Sequence, residues 1–109
     1  MTMFVKKDDA GFHTPIEGIR MKTLAYGENS LLTQFHLKEG SILPKHSHPQ
    51  EQTGYMLSGK LMLVIDNEEF IAEPGDTWSI PGDVEHWAEV LEDSVAIEVF
   101  SPVREDYLP

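Results

Sequence analysis

Apolar and polar residues alternate along this chain in short runs, and almost no stretch keeps a helical period. Strand-forming residues concentrate in residues 19–26, 31–37, 52–57, 61–65, 70–72, 77–80, 87–90 and 95–100. Turn formers separate them: Gly18, Gly27-Glu28-Asn29, Glu39-Gly40, Ser58-Gly59, Asp66-Asn67, Pro74-Gly75-Asp76, Pro81-Gly82-Asp83 and Glu92-Asp93. Many short strands with closely spaced turns predict an antiparallel all-β sandwich or barrel. Asp66-Asn67-Glu68-Glu69 reads as a hairpin tip, and Pro44, Pro74 and Pro81 fall at strand edges or turns, where proline breaks no ladder.

The 109 residues make one domain, able to bury a core with little surplus stability. No apolar stretch approaches the roughly 20 residues of a membrane-spanning helix, and the start, Met1 to Asp9, lacks the apolar core of a signal peptide. With no cysteine, no disulfide staples the fold and no thiolate serves as ligand or nucleophile. A cytoplasmic location is the resulting expectation. The net charge of −11 disfavours nucleic acid and anionic membranes as partners. An anionic ligand would need a local positive centre, which a bound cation could supply.

Five histidines are present, unevenly spread. His46-Ser47-His48 places two imidazoles at i and i+2, on one face if the segment is a strand. Gln52 has the same parity if the strand resumes after Pro49, whereas Glu51 has the opposite one. His86 follows a Pro-Gly-Asp turn able to bring a distant strand alongside. The alternative is a set of surface histidines or a satisfied polar spot. His13 and His36 have no such company and are read as non-ligands.

These residues carry a resemblance. Gly40, His46, Ser47, His48, Gln52 and Gly59 are spaced like the first motif of the cupins, and Gly75, Pro81 and His86 like the second, with the fifteen-residue spacer of small bacterial cupins between them. The resemblance covers the chain from about Arg20 onward. It implies a double-stranded β-helix (jelly-roll) barrel spanning 1–109, with a core over about 19–100 and a tail over 101–109. It further implies a dimer and one metal held by His46, His48, Gln52 and His86. Gln52 stands where many cupins have Glu, Asp83 where the second motif usually has Gly, and Val90 where it has Asn. Three neutral imidazoles and an amide leave the ion's +2 charge uncancelled, making it a stronger Lewis acid and a better anchor for an anion. Nitrogen and oxygen donors without thiolate suit nickel, zinc, iron, manganese or cobalt.

The last strand adds a second clue. Glu98 interrupts an apolar run, Phe100 shares its parity, and Arg104, one of two arginines, follows Pro102. Spacing lets all three look into one barrel mouth, or leaves Glu98 and Arg104 on a solvated edge. The ending Phe-Ser-Pro-Val-Arg-Glu-Asp-Tyr-Leu, with His-Ser-His-Pro-Gln-Glu-Gln-Thr-Gly-Tyr earlier, is similar to the pectin-degradation cupins. These convert 4,5-unsaturated monouronates from pectin or alginate into linear keto-deoxyuronates. The resemblance implies catalytic roles for Glu98, Phe100 and Arg104, with Glu98 one methylene longer than the usual Asp. The competing readings are a metal-dependent cupin dioxygenase, a non-enzymatic sugar- or acid-binding cupin, and a metal-free barrel. Arg20 and Lys22 read as an exposed edge, Trp78, Trp87 and Tyr55 as core or interface, and Lys45 as a side chain snorkelling beside the metal strand.

Overall fold

The computed structural model describes residues 3–109. Its strands are β1 (His13–Ile16), β2 (Ile19–Tyr26), β3 (Leu31–Leu37), β4 (Ile42–His46), β5 (Glu51–Ile65), β6 (Glu68–Ala72), β7 (Thr77–Ile80) and β8 (His86–Ser101). A single 3-10 turn, Glu105–Tyr107, is the only helical element among the described residues. No helix among the described residues is long and apolar enough to cross a membrane.

β2, β3 and β7 fall where hydrophobic alternation predicts them. β3 buries Leu31, Thr33, Phe35 and Leu37 and turns the residues between them outward. The tip between β5 and β6 is a tight turn with Asp66 and Asn67 both at positive φ, 49° and 66°. A two-residue hairpin matching strand twist needs that conformation, and Asp and Asn tolerate it.

Two expected breaks are corrected. Ser58-Gly59 and Glu92-Asp93 do not end strands; the chain passes through them within β5 and β8, with register irregularities from Met56 to Leu61. Gly59 carries the distortion at φ +90°. β1 was not expected at all, and its four residues are exposed, so it offers no alternation to read.

These two long strands organise the molecule. The first half of β5 pairs with β7 and with the second half of β8, which pairs in turn with β3, then β2 and β1. The second half of β5 pairs with β6 and with the first half of β8, which also pairs with β4. Two sheets thus face each other and share β5 and β8, the jelly-roll arrangement. Hydrogen bonding does not close the ladder into a ring, since β1 and β6 end the main pairing order. Met21, Phe35, Met56, Leu61, Val90 and Phe100 fill the space between the sheets. Each such side chain contributes about 1.5–3 kcal/mol by leaving water.

Candidate functional site

β4 and the start of β8 come from the second sheet, and the start of β5 and the end of β8 from the first. Their inward side chains meet at one mouth of the sandwich. His46, at the end of β4, lies opposite His86, the first residue of β8. β4 stops at His46, so the expected placement of His46 and His48 on one strand is corrected: His48 follows in a loop. The rings still gather, with centroids 4.3 to 5.6 Å apart. One ring nitrogen of each lies within 4.8 Å of those of the others, a spacing able to hold a metal ion. His46 is at the exposed lip; His48 and His86 are buried.

Each imidazole is oriented by a backbone carbonyl: His46 Nδ1 to Pro44 O at 2.7 Å, His48 Nδ1 to Gln50 O at 3.0 Å, and His86 Nδ1 to Val84 O at 2.9 Å. A carbonyl only accepts, so the bonding assigns the hydrogen to Nδ1 and leaves each Nε2 a free lone pair. Burial, with the charge of Arg104 next for His48, holds the imidazoles of His48 and His86 below the ordinary value and favours this neutral form. Nε2 of His86 is buried with no hydrogen-bond partner. Nε2 of His48 lies 3.0 Å from Oε1 of Gln52, one acceptor facing another. A cation reconciles such a set. Two donors about 2.1 Å from one ion at right angles are themselves about 3 Å apart. The residues present therefore fit a divalent metal, with Gln52 oxygen added to the three nitrogens.

The other end of the Gln52 amide donates to Oε1 of Glu98 at 2.5 Å, and Nε1 of Trp78 donates to the same oxygen at 2.9 Å. Glu98 is buried, so the solvated-edge alternative is excluded for it. Burial pushes its carboxyl above the usual range; the Gln52 and Trp78 bonds and the Arg104 charge oppose that rise. Phe100, 1% exposed, packs edge-on between His48 and Tyr107. Arg104 lies with its guanidinium carbon 3.9 Å from the Tyr107 ring centre and 5.2 Å from that of Phe100. Asp106 accepts from its Nε at 3.2 Å and its Nη2 at 2.7 Å, which holds one edge of the fork and pulls the Asp106 carboxyl down. The opposite edge is left for another anion. A cavity of about 300 Å³ opens among these groups, lined by His46, Gln52, His86, Glu98 and Arg104.

Sequence reasoning missed Trp78, Asp106 and Tyr107, which also serve this site. Trp78, expected as core or interface, does pack against the core, and its Nε1 also bonds Glu98. A buried carboxylate demands donors, but only strand register shows which residue supplies them. Arg20, over the Phe12 ring at 4.2 Å, and Lys22, bonded to the Asp8 carbonyl, lie away from the cavity. Lys45 approaches Glu85 at 4.0 Å, His36 packs on Phe12, and Tyr55 is exposed.

Residues 33–101 match the family model described as the cupin domain, Cupin_2. The pectin degradation protein KdgF of Dickeya dadantii (strain 3937) is 31% identical over 94 residues, covering 84% of this chain and 86% of that protein. The structure of KdgF from Halomonas sp. superposes with a TM-score of 0.90 at 29% identity, covering 96% of this chain and 99% of that one. An RmlC-like cupin from Shewanella frigidimarina NCIMB 400 gives 0.93 at 21% identity over 99% and 97% of the two chains, a likeness of fold alone.

Proposed function

This chain belongs to the cupin family and is similar over most of its length to the pectin degradation protein KdgF, and we propose that it opens and ketonises 4,5-unsaturated monouronates in a metal-dependent reaction. The observation that carries the reading is one cavity lined by a doubly hydrogen-bonded buried carboxylate, a half-engaged arginine and His46 and His86 of a cluster of three lone-pair-bearing imidazoles.

His46, His48, Gln52 and His86 would hold the ion, and when bound it supplies a Lewis acid that orients substrate oxygens and polarises the conjugated double bond. Arg104 receives the substrate carboxylate on the fork edge that Asp106 leaves free. In the reaction the hemiacetal hydroxyl loses a proton and the bond from its carbon to the ring oxygen breaks. The electron pair becomes an enolate on that oxygen, and a proton added at the far end of the enolate gives the ketone. No proton is gained or lost overall, so Glu98, accepting the first proton, has it to return. Such acid–base help is worth about 10²- to 10⁴-fold. Phe100 walls the cup between His48 and Tyr107 and keeps water from the enolate.

The test follows loss of the ultraviolet absorbance of the conjugated double bond on adding metal-loaded protein to an unsaturated monouronate. Turnover well above the spontaneous rate is expected, lost on chelation and reduced at least about 100-fold in Glu98→Ala with metal content unchanged. A rate equal to the spontaneous one with metal bound refutes the assignment and leaves a binding protein.

A further inference from the structure

Glu98 belongs to an inward row crossing four strands: Trp78 on β7, Gly54 on β5, Glu98 on β8 and Thr33 on β3 lie opposite one another in register. Trp78 and Glu98 are two strands apart, about 10 Å between backbones. Nε1 of Trp78 nevertheless reaches Oε1 of Glu98 at 2.9 Å. The indole spans the gap by lying across the residue between them. A Cβ at Gly54 would sit 2.1 Å from Cε2 and 2.2 Å from Nε1 of Trp78. Gly54 is not among the residues at positive φ, so its backbone does not require glycine; the ring does. On the other side, Oγ1 of Thr33 donates to the main-chain carbonyl of Glu98 at 3.0 Å and fixes the strand beneath. Oε1 of Glu98 therefore has two donors, Gln52 and Trp78, and no side-chain donor among the described residues reaches Oε2.

We infer that Trp78 is a positioning residue for Glu98: through a slot that Gly54 keeps open, its indole N–H pins Oε1, so that the proton is carried on Oε2. The inference rests on reading Glu98 as the group that moves the proton. A carboxylate held at one oxygen by two rigid donors presents the other in a single place, and small misplacements of a reacting group cost about 100-fold.

The experiment uses the full, metal-loaded chain and an unsaturated monouronate. Trp78→Phe keeps the ring and loses the N–H; Gly54→Ala keeps the N–H and displaces the ring. Each should lower kcat about tenfold to a hundredfold, with KM and metal content within about twofold of native. In a Glu98→Ala background neither should cost anything further, because nothing remains to position. Nuclear magnetic resonance of the two indole N–H groups, Trp78 and Trp87, gives a readout independent of turnover. The signal lost in Trp78→Phe should move in Glu98→Ala while the other stays. Native kcat in Trp78→Phe, equal losses in both backgrounds, or an indole signal indifferent to Glu98→Ala overturns the inference. If the native protein leaves the uronate untouched, the proposed reaction falls, and the indole signal alone decides whether Trp78 holds Glu98.

Discussion

Gln52 uses both ends of one planar amide: its oxygen faces Nε2 of His48 and its N–H meets Glu98. A carboxylate at 52 could serve the first contact but would oppose Glu98 in the second. That is a structural reason for the amide besides the uncancelled metal charge. Glu98 itself has a cost at neutral pH. Its carboxyl is raised chiefly by burial, so the folded chain holds that proton more tightly than the unfolded one. The linked stability is full below the unfolded value of about 4.3 and is lost as pH rises through the higher folded value. Glu98→Gln stays neutral, and its amide oxygen still accepts both N–H bonds. In metal-free protein this variant should resist urea better than native at about pH 7, with the advantage gone near pH 4; loaded with metal, it should be nearly inactive beside loaded native protein. Equal or lower stability at pH 7 would contradict the buried-charge account.

At the scale of elements, the crossing of β5 and β8 between sheets is closely packed. A Cβ at Gly59 would lie 2.2 Å from Oγ of Ser94 and 2.3 Å from the Asp93 carbonyl, on a backbone already at φ +90°. Gly59→Ala should therefore destabilise by more than about 1 kcal/mol, seen as a fall in Tm of at least about 4 °C. A native Tm would show that the crossing has slack. This element also marks where the sequence stops being legible. Strands with clean alternation, residues 19–26, 31–37 and 77–80, were readable because one face meets the core. Ser58-Gly59 and Glu92-Asp93 have turn chemistry, and only long-range pairing makes them crossings instead. At the site, the histidines and Gln52 stood out by motif spacing, and Glu98 by being a charge in an apolar run. Trp78 and Gly54 did not, because their role exists only once three strands are in register.

At the scale of the molecule, a net charge of −11 surrounds a cup that the proposed reaction fills with an anion. The distant field repels a uronate, and only the groups at the mouth attract it. Raising ionic strength from about 0.01 to 0.15 M shortens the screening length from about 30 to 8 Å. Steady-state kcat/KM for the uronate should accordingly rise with salt; a fall would mean that the positive centre governs approach. On the outer face of the larger sheet, Tyr55 lies opposite Ile97, and Leu57 follows two residues on along β5; Tyr55 and Leu57 are each nearly half exposed. The dimer that the family resemblance implies would cover an apolar patch of this kind. Light scattering should give twice the chain mass, and Tyr55→Glu should return it to the monomer. The sharing of β5 and β8 has one more consequence. The opposing sheets are two ends of the same ribbons, so the sandwich cannot gape like a clamshell without tearing both. Traffic in and out of the cup is left to the rim alone.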